Sequence, residues 1–276
     1  MYIKTKEEIK ILKQGGQILA GILKEVTDSA RPGVGTEKLE ELADKLIKEA
    51  GGIPAFKNYP LGGGIFFPSI LCISINNEVV HGSSLPNRII NDGDIVDIDI
   101  GMEWPATKEL QEELKVPINK HSKTGGFFTD TCMTIGVGDV APEAKKLMQI
   151  TKECLDLAIK EIKPGNTIND LARAVQTHAE SHSYGVVKDL VGHGVGYFAH
   201  EAPDVFNYEI SEKAPENVVL EPGMVIAVEP MINMGTWKVK TDTNGYTVLT
   251  EDGSLSAHFE HSIAVTEDGC EVLTKI

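Results

Sequence analysis

The 276-residue chain carries 26 Lys and Arg against 41 Asp and Glu, a net charge of −15, with 41% hydrophobic and 24% charged residues. These are ordinary globular proportions, which exclude a fibrous or globally disordered chain. The acidity argues against broad binding to nucleic acid or anionic membranes, since both need basic patches, and leaves metal cations and neutral or cationic substrates open.

In chain order, Thr5 and Glu8 form a capping box before Ile9, Leu12, Ile18, Ile22 and Val26 at roughly helical spacing. Gly15 and Gly16 argue against an unbroken helix there. A second helix starts at Thr36, turns Leu39, Leu42, Leu46 and Ala50 inward, and stops at Gly51 and Gly52. Residues 54–68, rich in Gly, Pro and aromatics, read as a shaped loop. Residues 70–75 and 95–100 read as strands around a turn at residues 91–94. Residues 103–123 are hydrophilic and read as an exposed arm. Strand character returns over 127–137, and an amphipathic helix follows over 144–162. Thr167 caps another helix, and two strand-rich segments, 218–231 and 257–265, close the sequence.

Cys72, Cys132, Cys154 and Cys270 lie far apart, a spacing that fits neither a disulfide scaffold nor a thiolate zinc site. The first residues lead straight into a charged helical pattern with no signal-peptide core. No apolar run approaches the ~18 residues of a membrane span. A cytoplasmic protein is the expectation.

An internal repeat reorganises this reading. Pro32, Gly33 and Leu39 recur as Pro164, Gly165 and Leu171. Residues 90–99 recur as 220–229, and residues 128–131 as 258–261, both at an offset of 130. Asp99 and Asp130 are therefore 31 residues apart, and so are Glu229 and Glu260. Single strand carboxylates are usually surface residues, but Asp99, Glu229 and Glu260 stand within strongly apolar runs. Related halves would gather four acids about a pseudo-two-fold axis. Burying them together is costly unless a cation neutralises them, and a dinuclear metal centre is the simplest neutraliser.

His193 stands between Gly192 and Gly194, which suits a ligand held close to other backbone. Imidazole beside carboxylates favours Mn, Fe, Co or Zn over Mg or Ca. His81 and His200 are further candidates for ligation or proton handling. His121, His258 and His261 have no claim beyond position. His178 and His182 lack the Glu placement of a zincin helix, and no nucleophile elbow occurs.

With these residues on the page, the chain resembles the type I methionine aminopeptidases nearly end to end. The resemblance lies in residues 3–9, 72–82, 192–196, 224–230 and 256–261. It implies an α+β pita-bread (creatinase/aminopeptidase) fold, with two pseudo-symmetric αβ halves around a curved antiparallel sheet. It also implies a single catalytic domain, 1–276, with halves of about 1–140 and 141–276 and an inserted arm at about 103–125. The implied enzyme is a dinuclear metalloexopeptidase, a methionyl aminopeptidase holding two divalent ions (Mn, Fe, Co or Zn). It would remove N-terminal methionine from nascent proteins and peptides with a small second residue.

By the same resemblance, Asp99 chelates one metal, Asp130 and Glu260 bridge both, and His193 and Glu229 bind the other. His200 meets the scissile carbonyl oxygen, His81 the scissile amide nitrogen, and Glu229 shuttles the proton. Tyr59, Phe67, Cys72, Phe198 and Tyr246 are candidates for the methionine pocket. Ala199 and Ala202 depart from the common family residues, and the interval from Asp99 to Asp130 is longer than usual. The arm is a candidate surface for ribosome or subunit contact, and the family expectation is otherwise a monomer. A same-fold Xaa-Pro peptidase would carry an N-terminal domain and an Arg near the last two acidic ligands. A type II methionine aminopeptidase would carry a long helical insertion in the second half. Neither pattern is seen, and a non-catalytic relative would have lost metal ligands.

Overall fold

Thr5 and Glu8 open the first helix, each side chain accepting the other's backbone N–H. In the computed structural model, which describes residues 1–275, the Thr5 N–H donates to Glu8 Oε2 at 2.7 Å and the Glu8 N–H to Thr5 Oγ1 at 3.3 Å. Helix α1 (Lys6–Ser29) then runs unbroken through Gly15 and Gly16, against the sequence expectation. The reason is close packing. A Cβ on Gly15 would sit 3.3 Å from the Trp104 ring, and one on Gly16 would sit 2.6 Å from the Leu273 carbonyl oxygen. Burial against these neighbours outweighs a helix penalty of about 1 kcal/mol per glycine.

The remaining elements of the first half are α2 (Thr36–Glu49), β1 (Leu71–Ile75), β2 (Glu78–Val80), β3 (Ile95–Trp104), α3 (Lys108–Leu114) and β4 (Phe127–Gly136). The second half supplies α4 (Pro142–Glu161), α5 (Ile168–Ser181), β5 (Gly192–Gly194), β6 (Glu201–Val205), β7 (Val225–Val228), β8 (Met231–Asn233) and β9 (Ser256–Val265). In one eleven-stranded sheet, β3, β4, β9, β7, β5 and β6 lie side by side in that order. β1 also pairs with β3, and β8 with β9, all antiparallel. The strand-rich segment at 218–231 resolves into two short strands separated by Pro230.

Alternation along the strands sorts their side chains between two faces. Ile98 and Ile100 join the apolar layer under α1 and α2. Ile226, Val228, Ile263 and Val265 join the layer under α4 and α5. The helices thus cover one side of the sheet, and the carboxylates alternate to the other. The halves meet where β4 pairs with β9, with Glu260 opposite Cys132 and His261 opposite Thr131. On β4's other edge, Gly101 lies opposite Asp130 and Asp99 opposite Cys132. This seam brings residues 130 positions apart in sequence side by side.

The arm is exposed along much of residues 107–123, as expected, but its base and two of its amides are buried. Glu103 and Trp104 are buried within β3, and the Trp104 indole donates to the Ala50 carbonyl at 2.9 Å. Beyond them, α3 and its return are tied down by buried amides. Gln111 Nε2 donates to the carbonyls of Pro105 (2.7 Å) and Thr124 (2.9 Å). Asn119 Nδ2 donates to those of Gly126 (2.8 Å) and Tyr197 (3.0 Å). The Glu103 carboxylate accepts the hydroxyls of Ser122 and Thr124 and the Gly126 N–H. The hydrophilic composition serves an exposed face and a few internal hydrogen bonds, and the arm is a docked element.

The glycine contacts give a paired test by chemical denaturation. Gly16→Ala drives a methyl into fixed backbone and should lower stability by about 1–3 kcal/mol. Gly21→Ala, with nothing within 4 Å of the new methyl, should raise it by about 0.5–1 kcal/mol. Equal effects at both positions would contradict the packing explanation.

Candidate metal centre and cleft

Asp99 on β3, Asp130 on β4 and Glu260 on β9 point into one cleft, joined by Glu229 just beyond β7. His193 enters from β5. A Cβ on Gly192 would sit 2.3 Å from the Ala227 carbonyl oxygen, and one on Gly194 would sit 2.5 Å from that of Ala202. Only glycine fits on either side, so the backbone carries the imidazole between two neighbouring strands. His193 Nδ1 donates to the Gly194 carbonyl at 2.9 Å, which leaves the Nε2 lone pair facing inward. That nitrogen lies 3.5 Å from both Asp130 Oδ2 and Glu229 Oε1. Ligand atoms of Asp130, His193 and Glu260 all fall within 4.8 Å of one another.

The electrostatics ask for a cation. Burial first, and then the other carboxylates, push Asp99 and Glu260 well above the usual carboxyl range. Burial also raises Asp130, against the pull of His193 and a 2.9 Å hydrogen bond from the Ser262 hydroxyl. Asp99 Oδ1 is buried without any hydrogen-bond partner. An orphaned buried carboxylate oxygen costs several kcal/mol unless a cation takes it up. Oxygen and imidazole donors, held apart from thiolate, fit a borderline divalent ion.

A second buried group, Asp97, Cys132 and His258, lies beside the first. Burial would lower the His258 pKa, but Asp97 at 3.3 Å and Glu229 at 3.6 Å outweigh it and raise it to about 10. A protonated imidazole therefore balances this group itself. Burial and the nearby acids push the Cys132 thiol well up, so it stays protonated. Sequence reasoning missed Asp97 and His258. The available signal was alternation, since each stands two residues before an expected ligand.

The cleft's cavity, about 190 Å³, joins the acidic cluster to an apolar end made by Phe56, Tyr59, Leu61, Phe67, Cys72 and Val80. This is smaller than the ~300–1,000 Å³ of pockets for drug-sized ligands, and leaves room for about one side chain. Tyr59, Phe67 and Cys72 stand where the sequence expected them. Tyr246 backs Phe67 edge-on at 5.8 Å without lining the cavity. Phe198 is a correction: its ring turns toward Tyr2 (5.9 Å) and His121 (5.4 Å) outside the cavity, because the aromatic cluster there offers it more contact.

The His200 ring lies tilted against those of His193 (centroids 4.2 Å) and Tyr59 (4.8 Å). Desolvation, then repulsion from His193 and His81, lowers its pKa to about 3. One edge of the ring faces the open cleft, where water screens part of that effect, and the operative consequence is a neutral imidazole at pH 7. His81 also lines the cavity, its pKa lowered by burial. Its backbone is left-handed (φ 59°), and the Thr247 hydroxyl donates to its carbonyl at 3.1 Å. Strained residues of this kind persist where surrounding structure holds them, commonly at functional sites.

Comparison with known proteins places this geometry in company. Residues 10–267 match the family model for metallopeptidase family M24. "Methionine aminopeptidase 1" of Bacillus subtilis is 38% identical over 274 residues, covering 99% of this chain and 98% of that protein. "Methionine aminopeptidase A" of Synechocystis is 40% identical over 270 residues, covering 98% and 96%. A crystal structure of methionine aminopeptidase from Thermotoga maritima superposes with a TM-score of 0.86 at 37% identity, covering both chains fully. A prolidase from Pyrococcus horikoshii superposes at 0.72 with 22% identity, covering 99% of this chain and 63% of its own, and shares the pita-bread fold.

The raised carboxyls fix the sign of a pH effect. In metal-stripped protein they hold protons more tightly folded than unfolded. Their stabilising contribution is therefore full below the unfolded carboxyl range, about pH 4, and is lost as pH rises toward their folded values. Thermal melts of stripped protein should weaken from about pH 5 to about pH 8. A fixed Mn²⁺ concentration of about 100 times its Kd at pH 8 should restore about 2.7 kcal/mol there, and less at pH 5, where protons compete for the same groups. Melts indifferent to Mn²⁺ at both pH values would count against the cluster as a cation site.

Proposed function

The chain belongs to metallopeptidase family M24, and from that premise we propose that it removes the N-terminal methionine from peptides and nascent chains with a small second residue. The observation that carries this reading is the Asp130–His193–Glu260 cluster opening directly onto an apolar cavity with room for one side chain. Methionine's flexible, polarisable thioether suits a cavity walled by aromatic rings and a protonated thiol.

Asp99, Asp130, His193, Glu229 and Glu260 would hold two divalent ions, Mn, Fe, Co or Zn. Cations in that place supply Lewis acidity, acidifying water and polarising the substrate carbonyl. The protein's own groups do the rest. The neutral His200 imidazole donates an N–H to the carbonyl oxygen as it gains charge. Glu229 takes the proton of the attacking water and returns it to the leaving amine. The Asn207 amide holds the Glu229 carbonyl at 3.1 Å, and His258 faces the Glu229 carboxylate from behind, so this carboxylate keeps its aim. His81 stands for the scissile amide nitrogen.

Every group in this scheme comes from one chain, which supports a single catalytic unit, 1–276, with halves of about 1–140 and 141–276. All four cysteines are free, which suits the reducing cytoplasm, and no described helix is long and apolar enough to cross a membrane.

Protein stripped with chelator and reloaded with Mn²⁺ or Co²⁺ should release methionine from Met-Ala and Met-Gly peptides and leave Xaa-Pro bonds intact. His200→Ala should lower kcat by about 10²–10³-fold while metal content stays unchanged. Reloaded protein that spares Met-Ala peptides but cleaves Xaa-Pro bonds would refute the reading.

A further inference from the structure

Outside the metal-bearing cavity, the docked arm and the 55–60 loop face each other across a groove of about 380 Å³. Lys57 and Tyr59 line one side, His121 and Lys123 the other, and Phe198 and His200 close its inner end. Tyr59 and His200 also line the methionine cavity, so the two spaces adjoin at residues proposed to flank the scissile bond. Given the proposed function, whatever emerges past His200 on the leaving-group side enters this groove.

Its cationic groups face outward without partners. Lys57 and Lys123 are exposed, and among the described residues neither has a carboxylate within ion-pair distance. The one acid in the lining, Glu103, is buried, and its carboxylate accepts the arm's Ser122 and Thr124 hydroxyls and the Gly126 N–H. Two unpaired cations therefore face solvent in a chain of net charge −15. The groove is also preformed, because the Asn119 and Gln111 amides fix the arm and the rings of Tyr2, His121, Tyr197 and Phe198 pack at its base.

We propose that this groove, built by Lys57 and Lys123 on its two walls, is an extended substrate site that selects peptides with acidic residues at about the third to fifth positions. An extended chain advances about 3.3–3.6 Å per residue, so the residues just after a small second residue lie along the groove. The shared boundary with the cavity, at Tyr59 and His200, favours the substrate's own downstream segment as occupant. The inference rests on the methionine-removal reading and adds to it a charge preference that the metal cluster cannot provide.

The test uses the Mn²⁺-loaded full chain and three peptides: Met-Ala-Ser, Met-Ala-Ser-Glu-Glu-Ser and Met-Ala-Ser-Lys-Lys-Ser. In low salt, kcat/KM should be about 3–10-fold higher for the acidic hexapeptide than for the basic one, the scale of two exposed ion pairs. The ratio should approach one at about 1 M salt. The doubly substituted Lys57→Glu, Lys123→Glu protein, checked for an unchanged melting temperature, should invert the ratio. Independently of turnover, the acidic hexapeptide should protect Lys57 and Lys123 from acetylation, and the basic one should not. A ratio near one in the unaltered protein, or a preference that survives the double substitution, overturns the groove while cleavage of Met-Ala-Ser keeps the methionine reading. Failure to cleave any of the three overturns both.

Discussion

Everything in the molecule is arranged around the repulsion among buried carboxylates. Asp130 and Glu260 offer oxygens within 4.8 Å of each other, a separation at which two like charges cost about 3–4 kcal/mol at an effective dielectric near 20. Asp99 and Glu229 add to that field. The sheet withstands it because apolar packing on the opposite face fixes the strands: α1 and α2 hold β3, while α4 and α5 hold β7 and β9. The acids are thus placed by a core that they do not help to build. A site held in this way keeps its shape before any cation arrives, which is the condition for electrostatic preorganisation.

Two backbone devices complete the arrangement. The β4–β9 seam sets Glu260 opposite Cys132, two positions along β4 from Asp130, so the bridging candidates come one from each half. The glycines around His193 let β5 approach its neighbours so closely that the imidazole reaches the same point. Behind the acid cluster lies a charge-balanced group. His258, held protonated, spans Asp97 and Glu229, and thereby orients the acid proposed to move the proton.

Much of this was legible in the sequence, because a repeat with equal spacing carries three-dimensional information that single motifs lack. Equal intervals in Asp99/Asp130 and Glu229/Glu260 implied a shared site, and the structure brings these residues into one cleft. The capping box at Thr5 was legible because its partners lie three residues apart. What could not be read depends on contacts across elements. Gly15 and Gly16 signal a break until Trp104 and Leu273 are seen against them. His258 looked incidental until the seam placed it between Asp97 and Glu229. The arm's hydrophilic residues suggested exposure, yet Gln111 and Asn119 spend their amides on backbone carbonyls inside it. Phe198 fell outside the pocket because its preferred ring partners, Tyr2 and His121, come from distant segments.

The central claim is that these acids, with His193, form a cation site. Calorimetric titration of chelator-stripped protein with Mn²⁺ or Co²⁺ tests it most directly. The account predicts saturable binding that approaches two ions per chain, with the stoichiometry or affinity sharply reduced in Glu260→Gln and Asp99→Asn proteins that retain their fold. Absence of saturable binding, or binding that both substitutions leave untouched, would contradict it.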